Sequence, residues 1–134
     1  MHLPTAGLLI IKDRKLLLAY SINKKCFYLP GGKVDKHETA VQALCREIEE
    51  ELNVPLHENE LKYYTHISAP AYGELNGTIM EQECFLINRT VEPVASAEIG
   101  DLKYFTLHEY LAQPQTAPGA VRVLEISKDD NLID

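Results

Sequence analysis

The sequence lacks the features that would direct it to a membrane, to secretion or to duplex nucleic acid. None of its apolar runs approaches the roughly 20 residues that a membrane-crossing helix needs. The N-terminal segment has neither a basic stretch ahead of its apolar residues nor an evident cleavage site, so no secretory signal is predicted. Lysine and arginine form no stripe, and the formal net charge is −7. Duplex nucleic acid and anionic membranes are therefore not expected partners.

Cysteine is scarce, with only Cys26, Cys45 and Cys84 in the chain. Their number is odd and none lies at the paired spacing of a zinc site, so neither a disulfide framework nor a zinc centre is predicted. We expect reduced thiols packed inside a cytoplasmic protein. The length of 134 residues, with 46% apolar and 25% charged residues, is ordinary for a globular protein and indicates one domain over residues 1–134.

The pattern of apolar segments predicts strands before and after one central helix. Segments 5–12 and 15–20 flank the polar pair Asp13-Arg14 and predict a hairpin. A strand at 26–29 is expected to end at Pro30-Gly31-Gly32. Further strands are predicted at 61–68, 78–88 and 101–105, a short helix at 106–112, and a last helix from Pro118 with Val121, Leu124 and Ile126 facing inward. This order is typical of a mixed α+β or layered α/β domain.

The strongest helix prediction covers residues 39–52. Its apolar stripe consists of Val41, Leu44, Ile48 and Leu52. Glu47, Glu50 and Glu51 follow the spacing i, i+3, i+4 and share a face about a quarter-turn from that stripe. The helix can therefore pack on a sheet while three carboxylates look into a cleft. Asn53 suits the left-handed position that ends a helix, and Pro55 prevents its continuation.

Three carboxylates on one helix face repel one another and need compensation. Water and salt can supply it, and an acidic run by itself usually is a solvated face. The other solution is a divalent cation such as Mg²⁺ or Mn²⁺, which takes hard oxygen ligands, bridges phosphate oxygens and acidifies bound water. The acidic run taken alone leaves both solutions open, and the whole spacing of the segment shifts the balance toward the cation. The Gly31-Gly32 turn lets backbone approach a ligand closely. Arg46 can steer Glu50, and Lys33 can offset phosphate charge.

The complete spacing resembles the Nudix box of MutT-like Nudix hydrolases. It runs Gly32, five residues, Glu38, seven residues, Arg46-Glu47-Ile48, one residue, Glu50-Glu51, one residue and Asn53-Val54. The preceding segment CFYLPGGKV also resembles the one that comes before the box in that family. One departure stands inside the motif: Asn53 replaces the usual glycine, without removing a ligand.

The resemblance implies a Nudix fold, with a mixed β-sheet sandwiched between α-helices. It also implies a hydrolase of phosphoric anhydride bonds that uses Mg²⁺, or Mn²⁺, to cleave a nucleoside diphosphate linked to another moiety. Homodimers are common among proteins that this chain resembles. By matching positions, Glu47, Glu50 and Glu51 would hold the metal with the Gly31 carbonyl, or Glu47 would act mainly as the base. Glu38 and Arg46 would brace the loop and the helix around Gly32.

Candidates outside the box complete the predicted site. Glu98 stands where several Nudix hydrolases supply an additional metal ligand, and Glu81 and Glu83 are its rivals. Lys33 matches a position that contacts phosphate in some members. Four tyrosines could stack on a base, namely Tyr28, Tyr63, Tyr64 and Tyr72, and Tyr28 is the best of them because it precedes the Gly-Gly turn.

The substrate is left open between several classes. A nucleoside triphosphate, cleaved to the monophosphate and pyrophosphate, is the leading expectation. Many triphosphate-cleaving members carry an arginine near the end of the second strand, where this chain has Tyr20 with Lys24 and Lys25 nearby. A nucleotide sugar, a dinucleoside polyphosphate, a non-catalytic nucleotide sensor and a plain interaction domain are the alternatives. The intact Glu47, Glu50 and Glu51 favour an enzyme over a sensor.

Overall fold

A computed structural model describes all residues from 1 to 134 and confirms a mixed α+β fold. The strands are β1 (His2–Leu9), β2 (Ile11–Lys12), β3 (Lys15–Ser21), β4 (Cys26–Tyr28), β5 (Gly31–Lys33), β6 (Leu61–Pro70), β7 (Ile79–Ile87) and β8 (Ile99–Phe105). The helices are α1 (Ala40–Leu52), α2 (Leu107–Leu111) and α3 (Pro118–Asp129), with a 3₁₀ turn at Glu58–Glu60. None of the helices combines the length and apolarity that a bilayer crossing requires.

The strands form two four-stranded sheets. The first sheet is mixed, in the order β5-β1-β7-β6, with β1 parallel to β7 and the other pairs antiparallel. The second sheet is antiparallel: β2 and β4 pair with different parts of β3, and β8 pairs along the other edge of β3. The single predicted strand 5–12 is wrong in one respect, because the chain leaves the first sheet after Leu9 and enters the second at Ile11. The predicted turn at Asp13-Arg14 is confirmed, and both residues have left-handed φ angles.

The first sheet is covered on both faces. One face packs against α1. There, Ala6 and Leu8 of β1, with Ile10 just after the strand, contact the buried residues of the helix, namely Leu44, Ile48 and Leu52. On the other face, Leu9, Ile67 and Cys84 share a cluster with residues of the second sheet, α2 and α3 such as Phe27, Phe105, Tyr110 and Leu124. Leu44, Ile48 and Leu52 of the predicted stripe are fully buried, while Val41 is half-buried. In α3, Val123 is fully buried beside Leu124, whereas Val121 and Ile126 are only partly buried.

The segment Gly31–Lys33, predicted as a turn, forms the short edge strand β5 against β1. Gly31 has a φ of 140°, and a Cβ on it would stand 2.0 Å from the Ala6 carbonyl oxygen. A Cβ on Gly32 would stand 2.5 Å from the Glu47 side chain. Both glycines are therefore required for close approach: Gly31 to β1, and Gly32 to the acidic face of α1.

Both ends of α1 are closed by hydrogen bonds. Thr39 and Gln42 form a reciprocal capping box at the N-terminus. Asn53 takes the predicted left-handed conformation with φ 56° at the C-terminus, and its side-chain Nδ2 donates to the Val94 carbonyl at 2.8 Å. The asparagine thus does two tasks, since glycine at this position would end the helix without reaching the segment ahead of β8.

We predict that Asn53→Ala destabilises the protein more than Asn53→Gly. Alanine loses the hydrogen bond to Val94 and adds left-handed strain of about 1–2 kcal/mol, whereas glycine loses only the hydrogen bond, worth about 1 kcal/mol. The measurement is the free energy of unfolding in urea for both variants. Equal losses of stability in the two variants would show that alanine adds no strain at this left-handed position.

Candidate active site

A cleft of about 340 Å³ lies between the two sheets beside α1. Its walls come from α1, from the strands β1, β3, β4, β5 and β7, from the start of β8, and from the loops β3–β4 and β6–β7. The structure brings eight of the sequence-predicted residues into its lining, namely Tyr28, Gly31, Gly32, Lys33, Glu47, Glu51, Tyr72 and Glu98. Glu50 is exposed and lies outside that lining.

Arg46 ties the loop after β5 to α1. Its guanidinium donates to both carboxylate oxygens of Glu38 at 2.8 and 2.9 Å, to the Lys33 carbonyl at 3.2 Å and to Glu47 Oε1 at 2.8 Å. The hydrogen bonds from Arg46 and from the Asp35 backbone N–H lower the pKa of Glu38 to about 2. Glu38 is therefore ionised near neutral pH. Arg46 also positions the Glu47 carboxylate through its hydrogen bond to Oε1.

Glu51 is the most deeply buried carboxylate in the cleft, with 7% of its surface exposed. Burial raises its pKa to about 8, although the Gly31 backbone N–H donates to Oε1 at 3.1 Å and opposes the shift. The charges of Glu47, Glu98 and Glu50 are smaller contributions to the same rise. Near neutral pH, the ionised form of this side chain therefore needs a cation beside it.

Glu98 joins the acidic group from a distant part of the chain. It precedes β8 and is oriented by Asn23, whose Nδ2 donates to its carboxylate at 3.0 Å. Burial raises the pKa of Glu47, Arg46 opposes that shift, and the charges of Glu50 and Glu98 add to it. Although these charges interact, no three His, Cys, Asp or Glu side chains are gathered at ligating distance around one point.

The chemistry of the donor set fits a hard divalent cation. Glu47, Glu51 and Glu98 supply only carboxylate oxygens, which suit Mg²⁺ or Mn²⁺ better than softer metals. The cleft also has an excess of acidic side chains that a cation would offset. No cysteine or histidine lies in its lining.

Comparison with known proteins identifies the family of this fold and cleft. The profile of the NUDIX domain matches residues 1–125. The chain belongs to the Nudix family. No functionally curated protein matches its sequence, but many solved structures share its fold. A Nudix chain of this kind is a hydrolase acting on phosphoric anhydride bonds.

Three of these solved structures illustrate the similarity. The MutT Nudix hydrolase from Burkholderia pseudomallei is 28% identical, with a TM-score of 0.72, over 92% of this chain and 95% of the other. The E. coli ORF135 protein is 23% identical, with a TM-score of 0.74, over 97% and 91%. A bifunctional NMN adenylyltransferase/ADP ribose pyrophosphatase from Francisella tularensis, complexed with AMP and a Mn ion, is 22% identical, with a TM-score of 0.70, over 97% and 42%.

Two lysines in the Nudix cleft are paired with a carboxylate that the sequence did not single out. Glu74, in the loop between β6 and β7, lies 3.7 Å from Lys24 Nζ and 3.4 Å from Lys33 Nζ. Lys24 Nζ also stands 5.2 Å from the centre of the Tyr28 ring, and Tyr28 packs edge-on against Tyr72 at 5.9 Å. No motif marks Glu74, because its partners are 50 and 41 residues away in the chain.

Glu81 and Glu83, the rivals to Glu98, lie outside the cleft. Both contact His66, through Nε2 at 2.8 Å and Nδ1 at 2.5 Å respectively, and Glu81 also meets His2 Nδ1 at 2.5 Å. Gln82, the residue between them, lines the cleft instead. Successive side chains of a strand alternate between faces, so Glu81 and Glu83 belong to the other face of β7.

We predict that the metal-free protein loses stability as the pH rises from about 5 to 8, and that Glu51→Gln abolishes much of this loss. Because folding raises the pKa of Glu51, the folded state holds its proton more strongly than the unfolded state does. This contribution is complete below the unfolded pKa and is lost as the pH rises through about 8. At pH 9 the variant should be more stable by on the order of 2 to 4 kcal/mol.

The measurement is the free energy of unfolding in urea, with EDTA present, from about pH 5 to about pH 9. Glu49→Gln is the matched control, because Glu49 is exposed on the same helix. Parallel pH curves for the wild type and Glu51→Gln would contradict the assignment of the pH dependence to Glu51.

Proposed function

We propose that this Nudix protein is a Mg²⁺-dependent nucleotide pyrophosphohydrolase, with Mn²⁺ as an alternative metal. The leading substrate is a nucleoside triphosphate, cleaved to the monophosphate and pyrophosphate. The observation that carries the proposal is the burial of Glu51 in a cleft that it shares with two other carboxylates and two lysines, namely Glu47, Glu98, Lys24 and Lys33. The similarity to the MutT Nudix hydrolase from Burkholderia pseudomallei supports the assignment as a hydrolase.

In this proposal the acidic group holds the metal and the lysines hold phosphate. Glu47, Glu50, Glu51 and Glu98 would ligate the ion, together with the Gly31 carbonyl. When bound, the ion supplies charge neutralisation at the phosphate oxygens and acidifies a water molecule. Arg46 acts through Glu47, whose orientation it sets, and Glu38 holds Arg46. The proton of the attacking water passes to a carboxylate of this group.

A nucleotide sugar such as ADP-ribose is the second substrate class. Its support is the fold shared with the Francisella tularensis protein and with an ADP-ribose pyrophosphatase from Streptococcus suis, which is 15% identical, has a TM-score of 0.64, and is matched over 96% of this chain and 91% of the other. At these identities the likeness establishes the fold alone.

The three free cysteines agree with a reducing compartment, which supports a cytoplasmic location.

The proposed function is tested by measuring product release over a nucleotide panel with and without Mg²⁺. Hydrolysis of a triphosphate to monophosphate and pyrophosphate, dependent on the metal, is expected. Exclusive turnover of ADP-ribose would move the assignment to the second class. Tight nucleotide binding with no turnover of any substrate would favour a sensor.

We predict that Glu51→Gln lowers kcat by on the order of a thousandfold at saturating Mg²⁺. The substitution keeps the shape of the side chain but removes the charge that would face the ion, which costs several kcal/mol of transition-state stabilisation. Glu49→Gln should retain nearly full activity. Unchanged turnover by Glu51→Gln would contradict the metal assignment.

We predict that Glu74→Gln lowers KM roughly two- to fivefold without changing kcat. The Glu74 carboxylate competes with substrate phosphate for Lys24 and Lys33, and exposed ion pairs of this kind are worth about 0.2–1 kcal/mol. The difference should shrink as the salt concentration rises. Glu125→Gln on α3, which removes an exposed pair with Arg122, is the control. An increase in KM for Glu74→Gln would mean that Glu74 assists substrate binding.

A further inference from the structure

The cleft contains a side-chain amide, that of Gln82, which forms almost no hydrogen bonds within the protein. Gln82 of β7 lines the cleft and has only 6% of its surface exposed. Its Oε1 receives one weak contact, from Cys84 Sγ at 3.8 Å, and its Nε2 has no hydrogen-bond partner in the protein. No polar side-chain atom is both fully shielded and unpartnered. The Nε2 group therefore keeps some exposure at the cleft, where a molecule that enters can accept a hydrogen bond from it.

Gly7 makes room for this amide. A Cβ on Gly7 would stand 2.9 Å from Gln82 Nε2 and 2.5 Å from Leu29 Cδ2. The amide thus lies close over the backbone of β1, next to Leu29. The packing holds the amide in place before a ligand arrives, so little further side-chain freedom is lost on binding.

The strand register relates Gln82 to the phosphate end of the cleft. Thr5 of β1 is opposite Lys33 on one side and Gln82 on the other. Neighbouring strands are about 4.8 Å apart, so Gln82 lies two strand spacings, roughly 10 Å, from the edge strand that carries Lys33. A sugar can bridge this separation between a phosphate group and a ring held at Gln82.

The surroundings of the amide suit a flat, largely apolar ring. Leu3, Leu29 and Met80 line the cleft near it, and Tyr28 and Tyr72 line the same cleft. Pockets of this kind bind ligands through apolar walls and fix their orientation through a few polar groups. A carboxamide offers one donor and one acceptor side by side, which matches the edge of a nucleobase.

We propose that Gln82 determines base specificity by hydrogen-bonding the edge of the nucleobase, in a slot that Gly7 keeps open. This inference rests on the proposed nucleotide hydrolysis and adds the residue that selects among nucleotides. A site built to hydrogen-bond a substrate rejects analogues that lack the matching group, because its own polar atoms are then left unpaired. Gln82 is a specificity residue and takes no part in the bond cleavage.

The test compares wild type, Gln82→Leu and the control Gln113→Leu on ATP, GTP, CTP and UTP. Gln113 follows α2 and is outside the cleft. In Gln82→Leu, kcat/KM for the preferred base should fall about tenfold, mainly through KM, and the spread among the four bases should narrow. Gln113→Leu should keep the wild-type spread.

Gln82→Glu tests which half of the amide is used. A carboxylate keeps the acceptor and loses the donor. Guanine and uracil present carbonyl acceptors, whereas adenine and cytosine present amino donors. Because Nε2 is the free atom, kcat/KM should fall more for GTP and UTP than for ATP and CTP. An equal fall for all four bases would overturn the base contact.

Binding measurements separate this inference from the proposed function. The four α,β-imido triphosphates carry nitrogen in place of the bridging oxygen at the bond to be cleaved, so they report base preference by calorimetry without turnover. The unfolding temperature of Gln82→Leu reports that the variant is folded. Absence of turnover by the wild type would contradict the hydrolase proposal, while the binding ratios still decide the role of Gln82. An unchanged base preference in Gln82→Leu would overturn the role of Gln82 alone.

Discussion

Glu51 occupies the point at which α1, the edge strand β5 and the cleft meet, and it is an ionisable side chain with little access to water. The Gly31 N–H is its one hydrogen-bond donor from the protein, and three neighbouring glutamates oppose its ionisation. A carboxylate in this setting is stabilised by a proton or by a cation. The arrangement of the cleft follows from that constraint, because the remaining groups either approach Glu51 or limit the repulsion around it.

The constraint explains why glycine and arginine accompany the acidic face. Gly32 admits the Glu47 side chain, which a Cβ would exclude. Arg46 forms ion pairs with both Glu38 and Glu47, so part of the acidic charge is neutralised within the protein. Glu98 has no ion pair with this arginine and accepts a hydrogen bond from Asn23. The cleft consequently keeps an excess of negative charge, and its two lysines are paired with Glu74.

Local patterns in the chain were sufficient for the hairpin at Asp13-Arg14, for α1 and for the left-handed end at Asn53. In each case the deciding residues are only a few positions apart, as in the apolar stripe of α1. The short helix α2 is also marked locally, by the capping box of Thr106 and Glu109. The transfer of the chain from one sheet to the other at Ile10 could not be predicted in this way. Leu9 and Ile11, on the two sides of Ile10, are both apolar, so periodicity carries no sign of the break. The strand at Gly31–Lys33 was also missed, because its pairing with β1 depends on contacts about 26 residues apart.

By itself, the sequence determined the acidic face of α1, because the spacing of Glu47, Glu50 and Glu51 on a helix is a property of the helix alone. It also determined that Gln82 must face away from Glu81 and Glu83, because strand side chains alternate. Only the tertiary structure decided that Gln82 faces the cleft while its two neighbours meet His66. That choice follows from α1 covering one face of the first sheet and the second sheet covering the other. The positions of Glu98 and Glu74 were likewise decided by folding, which brings distant segments to the same cleft.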